Sequence, residues 1–173
     1  MSMTRAAPTT APEIDLWRLQ NHMTASVVAA NLKGLTHEES LAQPEPGGNR
    51  LNWVLGHLLW TYNGLLPLLS QQPVMENTVL ERYARGAPPL LDPAEARDFR
   101  QLLDGWGQAV ERVDAGLAGL DPDTFDRRVP NSPGGNPDET VRTLVTTVMF
   151  HQAYHAGQTG VLRRVAGREG AIR

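Results

Sequence analysis

Residues 136–167 read NPDETVRTLVTTVMFHQAYHAGQTGVLRRVAG, and this stretch carries the clearest helical pattern in the chain. Apolar side chains recur every three or four positions, which is the spacing of one face of an α-helix. Asn136 followed by Pro137 suits the cap and the first position of a helix. The pattern therefore predicts a long helix that begins at Asn136. His151 and His155 continue its apolar face, so we expect both side chains to point into the protein.

Three further stretches upstream show the same periodicity and predict helices over about residues 13–33, 50–66 and 92–117. The second of them is apolar almost all round, which is typical of a central, heavily packed helix. Residues 71–91 form a long connection without a clear period, and such a crossover permits two neighbouring helices to run parallel. The sequence thus predicts an all-α fold, a four-helix bundle with a long crossover between helices two and three.

The first predicted helix has an apolar stripe that we expect to face the core. Its members recur at helical spacing: Leu16, Leu19, Met23, Val27 and Ala30. The polar residues 1–11 before it predict a disordered tail, and residues 12–168 the folded bundle domain.

Composition narrows the classes of function. A chain of 173 residues fits one domain, and a formal net charge of −3 argues against an electrostatic nucleic-acid binder. The absence of cysteine rules out disulfides, thiolate ligands and a cysteine nucleophile. The longest apolar stretch, residues 51–69, is interrupted by polar residues, glycine and proline, so it predicts a buried helix rather than a membrane span. Without an apolar core of a secretory signal at the N-terminus, we expect a cytoplasmic protein.

Three histidines form a candidate metal site. His151 and His155 are four residues apart, so they share one side of a helix, and two neutral imidazoles at that spacing can hold one ion at ~2.0–2.1 Å each. His57, mid-way along the most apolar helix, is the candidate third ligand. The pair alone is weakly specific, and a lone His57 is more often a hydrogen-bonded core residue. A shared metal would satisfy ring nitrogens that are otherwise costly to bury.

The two remaining histidines and two tryptophans near His57 are further candidates for the site. His37 lies in a capping-box pattern and is expected to be exposed, and His22 is a weak candidate for a fourth ligand. Trp53 and Trp60 flank His57 on one helix face. They are either walls of a ligand pocket or ordinary core residues.

Two segments resemble a known family. Residues 151–158, HQAYHAGQ, closely resemble the His-x-x-x-His-x-Gly-Gln signature on the last helix of the DinB/YfiT-like superfamily of metalloenzymes. Residues 55–58, LGHL, resemble that family's histidine segment on helix two, and residues 35–39, LTHEE, its short turn after helix one. The resemblance spans most of the chain in the family's order. It implies a DinB-like four-helix bundle.

The resemblance also implies that His57, His151 and His155 bind a divalent metal. Many relatives have Glu directly after the first histidine of the pair, where this chain has Gln152. We expect Gln152 to point sideways with little effect on metal binding, although the change puts a catalytic role at that position in doubt. Imidazole ligands suit several metals; availability favours zinc, with nickel or iron as alternatives.

An open position on a three-histidine metal favours catalysis over a structural role. Relatives include transferases and isomerases that use bacillithiol, mycothiol or glutathione. The resemblance therefore implies metal-dependent transfer of a low-molecular-weight thiol to an electrophilic substrate. Gln158, three residues after His155, is expected either to hydrogen-bond a ligand histidine or metal-bound water, or to bond a neighbouring loop.

Two other functions remain as alternatives. One is a metal-dependent hydrolase, which needs a general base, and no inward Asp or Glu is evident near the histidines. The other is a non-enzymatic metal-binding protein of the stress response. A homodimer is expected from the base rate and from the resemblance.

Overall fold

The computed structural model describes residues 11–130 and 135–172. Its α-helices are α1 (Pro12–Leu32), α2 (His37–Ser40), α3 (Leu51–Leu65), α4 (Asn77–Leu80), α5 (Phe99–Ala118) and α6 (Val141–Val165). The predicted all-α class is confirmed, since the described residues contain no strand, only a β-bridge between Arg128 and Thr140. No helix in the described ranges is both long enough and apolar enough to cross a membrane. The predicted tail lies outside these ranges except for Ala11.

The four long helices pack in pairs, with α1 against α5 and α6, and α3 against α5 and α6. Helices α1 and α6 run in the same direction, because Trp17 near the start of α1 bonds Thr146 and Asn31 near its end bonds Thr159. Helices α3 and α6 run in opposite directions. The amide of Gln152 on α6 reaches the Leu58 carbonyl, and the start of α6 lies beside the end of α3.

Helix α3 and the 3-10 turn that follows it (Leu66–Leu69) run parallel to α5 and approach it closely at two glycines of α5. A Cβ added at Gly105 would lie 2.9 Å from a methyl of Leu59, and one added at Gly116 would lie 2.6 Å from the Leu69 Cβ. At Gly116 only glycine leaves room, because the neighbouring atoms are a Cβ and a backbone oxygen, whereas at Gly105 the flexible end of Leu59 would have to shift. The long connection between α3 and α5 returns the chain to the same end, as two parallel neighbours require.

The predicted inward face of α1 is wrong for its first three members, whereas Val27 packs against the core and Ala30 is half-buried. Leu16, Leu19 and Met23 are 60%, 55% and 61% exposed, while the buried face carries Ile14, Trp17 and Val28. The core-facing side of α1 could not be recognised from hydrophobicity, because it contains polar residues that form hydrogen bonds inside the protein.

Those polar residues are asparagines that link α1 to its neighbours. Asn21 donates to the Val110 carbonyl on α5 at 3.1 Å and accepts from the Tyr62 hydroxyl on α3 at 2.7 Å. Asn31 donates to Thr159 on α6 at 2.9 Å. Satisfied hydrogen bonds remove most of the penalty of burying a polar group. Polar residues therefore share the buried face with apolar ones, while Leu16 and Leu19 lie on the exposed side.

Two predicted helix starts are also wrong, each by several residues. Asp92 caps only a single 3-10 turn, Pro93–Glu95, and α5 begins later, after Asp98. Asn136 accepts the Asp138 amide in a local turn, and α6 is instead capped by Thr140. Both errors have one cause: a side chain that bonds the amide two residues on makes a turn as readily as a helix start.

The long connection is ordered by side chains of α3. Asn63 is 1% exposed and accepts from the amides of Val74 and Met75 at 2.7 and 3.2 Å. Its own amide donates to the Met75 carbonyl and to Asn77. The connection then passes over α3 again at Tyr83, which brings it to the histidines.

Candidate metal centre

The three predicted ligands lie together on the facing sides of α3 and α6. One ring nitrogen of each of His57, His151 and His155 lies within 4.8 Å of the other two. The other two histidines lie elsewhere. His22 is exposed beside Asp114, at 2.9 Å. His37 is half-buried rather than exposed, and its Nδ1 accepts the first amide of α5 at 3.1 Å.

His57 is held between two tryptophans and oriented by a backbone carbonyl. Its ring stacks on Trp53 at 4.7 Å between centroids and on Trp60 at 5.6 Å. Its Nδ1–H donates to the Tyr83 carbonyl at 2.7 Å. Because a carbonyl only accepts, Nδ1 carries the proton and Nε2 presents its lone pair. Trp53 is a buried core residue, whereas Trp60 also lines a cavity beside His57.

Tyr83 is itself fixed by packing and by hydrogen bonds. Its ring covers Gly56, where an added Cβ would lie 2.3 Å from the ring. Its hydroxyl donates to Asn52 at 3.0 Å and accepts from the Arg97 amide at 2.9 Å. The residue before His57 must therefore be glycine for the carbonyl of Tyr83 to reach the imidazole.

His155 is oriented in a similar way from its own helix. Its Nδ1–H donates to Gln158 Oε1 at 2.6 Å. Of the two contacts expected for Gln158, the structure shows the one to a candidate ligand histidine. The bond leaves Nε2 of His155 free to bind a metal, the arrangement by which outer residues orient metal ligands.

Two of the three nitrogens lie at a separation that fits a bound divalent ion. His57 Nε2 and His151 Nε2 are 3.0 Å apart, close to the separation of roughly 3.3 Å between two nitrogens on a tetrahedral zinc. His151 Nδ1 is buried and has no hydrogen-bond partner in the described part of the chain. Two imidazoles facing each other at this distance are satisfied either by a shared proton or by a shared metal. The cluster can therefore hold a metal ion.

Burial keeps the three imidazoles neutral. It is the largest cause that lowers the pKa of each of the three rings. Charge on His155 and on Arg85 adds to the lowering for His57 and His151, and together these effects take the pKa of His151 to about 4. All three rings therefore present lone pairs at neutral pH, which is the form that binds metal.

Gln152 does not point sideways, and that expectation is wrong. Its side chain is fully buried and donates to the Leu58 carbonyl at 3.0 Å. It ties α6 to α3 beside His57, one residue from His151. A Glu here would set a carboxylate against a carbonyl oxygen, so the amide suits this contact.

A cavity of about 360 Å³ adjoins the cluster, and His57 and His151 line it together with Trp60 and Arg85. Glu139 also lines it and is only 6% exposed. Sequence reasoning missed Glu139 because it placed this residue in the first turn of a helix. The Thr140-x-x-Thr143 capping box was the signal that Glu139 comes before the helix.

The histidines make the stability of the metal-free protein depend on pH. Unfolded histidine titrates near pH ~6.5, while the folded rings resist protonation, so the unfolded state binds more protons below that pH. We expect the free energy of unfolding to fall as pH drops from about 6.5 towards 4, measured by urea titration. His151→Asn should flatten the slope between about pH 6.5 and 5. A wild-type profile that is flat over that interval would contradict the burial of neutral imidazoles.

Gly56→Ala tests how Tyr83 orients His57. The added methyl cannot fit beneath the Tyr83 ring, so we expect a loss of about 1–3 kcal/mol in unfolding free energy and weaker metal binding. Gly64→Ala on the same helix is the matched control. Its Cβ would meet nothing within 4 Å, so stability should hold or rise by up to about 1 kcal/mol. Equal effects of the two substitutions, by urea titration and metal titration, would refute the role of the ring contact.

Comparison with known proteins gives one family and one fold. A solved structure, "Crystal structure of the conserved protein of locus from Enterococcus faecalis", is similar with a TM-score of 0.69 and 16% sequence identity. The match covers 91% of this chain and 98% of that one. No curated protein matches the chain. The sequence profile of the DinB superfamily matches residues 20–159, most of the chain. The chain belongs to the DinB superfamily.

Proposed function

We propose that the protein is a metal-dependent transferase that joins a low-molecular-weight thiol of the bacillithiol, mycothiol or glutathione type to an electrophile. In this proposal a four-helix bundle of the DinB type holds zinc, or alternatively nickel or iron, at His57, His151 and His155. One observation carries the proposal: three neutral imidazoles converge beside a cavity large enough for a small molecule. The cytoplasm, where such thiols are kept reduced, is the proposed compartment.

The donor set favours an open site. A divalent ion held by three neutral imidazoles keeps its full charge and an open position, so it lowers the pKa of a thiol or water that binds it. The chain has no cysteine, so a reacting sulfur has to come from a small molecule. The cavity beside His57 and His151 offers that molecule a route to the cluster.

Gln158 is the proposed positioning residue. It touches His155 and holds the ring so that Nε2 faces the cluster. Loss of such a contact typically costs 10–100-fold in metal affinity or activity. Gln158→Glu keeps an acceptor at this position, whereas Gln158→Leu removes it.

The test is consumption of bacillithiol, mycothiol or glutathione with chlorodinitrobenzene or monochlorobimane, using zinc-loaded protein. We expect wild type and His22→Ala to consume at least one thiol well above the rate without protein, and His155→Ala to lose this activity. Gln158→Leu should fall about 10–100-fold while Gln158→Glu retains more. Failure of every thiol with fully metal-loaded protein would refute the transferase.

A hydrolase is the second candidate, and Glu139 is the observation that favours it. This buried carboxylate lines the other end of the cavity that His57 and His151 line, so it is a candidate general base for a substrate or water that extends along that cavity. Hydrolysis of nitrophenyl esters without thiol, lost in Glu139→Gln, would favour this candidate over the transferase. Metal-loaded protein that turns over neither thiols nor esters would instead fit a non-enzymatic metal-binding protein of the stress response.

We also propose a homodimer. Exposed apolar side chains on α1 and α6 supply a surface that a second copy would cover: Leu16, Leu19, Met23, Phe150 and Tyr154. Light scattering should give twice the mass of the chain for wild type and a lower mass for Phe150→Glu. A monomeric wild type at micromolar concentration would contradict the dimer.

A further inference from the structure

The cavity beside the histidines is elongated along the groove between α3 and α6. His57 and His151 line one end, and Leu68 and Leu144 line the other. A helix rises about 1.5 Å per residue, so the seven residues from Leu144 to His151 span about 10 Å. A molecule in this groove therefore has one end at the histidine cluster and its other end near the start of α6.

The walls between the two ends are mostly apolar. Trp60 and Leu65 come from α3, and Val148 comes from α6. Val129 closes the far end. A volume of about 360 Å³ lies in the usual range for small-molecule sites. These walls suit a hydrocarbon or aromatic body rather than a sugar.

The two charged residues of the lining lie at different places along the groove. Arg85 lines the cavity together with His57 and His151, is exposed, and its charge lowers the pKa of both histidines. It follows Tyr83 by two residues, so the segment that orients His57 also brings in this cation. Glu139 directly precedes the cap of α6 and is buried at the opposite end. The lining thus carries one cation that acts on the histidines and one buried carboxylate next to the start of α6.

We propose that this groove binds a small carboxylic acid with an apolar body, whose carboxylate pairs with Arg85 beside the histidine cluster and whose body lies between α3 and α6. A guanidinium binds a carboxylate through two parallel hydrogen bonds, which also fixes its orientation. The inference rests on the proposed function, because it takes this acid as the partner of the thiol. The electrophile is then an activated double bond in the body of the acid and not its carboxylate: the thiolate adds to one carbon and a proton to the other, with no leaving group. The inference adds the substrate class, which the three histidines alone do not supply.

Glu139 gives the groove its selectivity. A second carboxylate at the far end of the ligand would meet the buried Glu139 carboxylate, and like charges in a poorly solvated site repel strongly. The site therefore accepts a monocarboxylate and rejects the dicarboxylate of the same length. A neutral amide loses the charge-assisted pairing with Arg85.

Octanoate, octanamide and octanedioate are the probes, titrated into zinc-loaded protein by calorimetry, with tryptophan fluorescence reporting on Trp60. We expect octanoate to bind at least about 10-fold more tightly than either of the others. Arg85→Gln should weaken octanoate binding by about 10-fold or more, and Glu139→Gln should selectively restore octanedioate. Arg100→Gln, which removes an exposed cation that lines a different cavity, should change neither.

Metal content measured on the same samples separates this inference from the proposed function. Equal binding of octanoate and octanamide, or an unchanged octanoate affinity in Arg85→Gln with zinc retained, would overturn the carboxylate site while leaving the metal centre intact. Octanoate binding that depends on Arg85 in protein unable to hold zinc would uphold the carboxylate site and refute the metal-dependent transferase. Octanedioate that stays excluded after Glu139→Gln would overturn the selectivity assigned to Glu139.

Discussion

The hydrogen bond from His57 Nδ1–H to the Tyr83 carbonyl is the contact on which the candidate site depends most. It fixes the tautomer of a buried ring and aims Nε2 at His151. It forms only because Gly56 lets the Tyr83 ring lie flat against α3. The requirement reaches well beyond the site, since Tyr83 lies on the long connection, and Asn63 ties an earlier part of that connection to α3. The orientation of His57 therefore depends on the long connection being ordered.

The candidate site is unusual in its charge. Three neutral imidazoles bring no negative charge to a divalent ion, and Arg85 adds a further positive charge in the cavity lining. Such a site favours anionic ligands, whether thiolate, hydroxide or carboxylate. Glu139 sets a limit at the other end of the groove. Arg85 and Glu139 therefore influence both the reaction and the choice of ligands that reach the cluster.

The trio of histidines could be predicted from sequence because its signal is local. Four-residue spacing on an apolar stripe places His151 and His155 on one inward face, and an almost wholly apolar helix leaves His57 nowhere else to point. The resemblance to the DinB superfamily then implied that His57 and the pair on α6 bind the same metal ion. The bond between His155 and Gln158 was one of the alternatives that the sequence left open, and it lies within one turn of one helix.

Contacts between elements distant in sequence could not be predicted. Hydrophobic periodicity assigned α1 the wrong face because Asn21 and Asn31 are buried with partners on other helices. Tyr83 lies in a segment without any period, so nothing local marked its carbonyl as a partner of His57. The cavity position of Glu139 was missed because the turn at Asn136 resembles a helix start. In each case a tertiary hydrogen bond or a cap overrode the local pattern.

Metal content tests the central claim most directly. Protein purified without an affinity tag would be analysed by mass spectrometry for metals, beside His57→Ala, His155→Ala and the exposed control His22→Ala, with circular dichroism to confirm folding. The account predicts about one equivalent of a divalent metal in wild type and His22→Ala, and its loss in the other two variants. Folded protein without metal in any sample, even after incubation with zinc, would contradict the account and leave the three histidines as core residues.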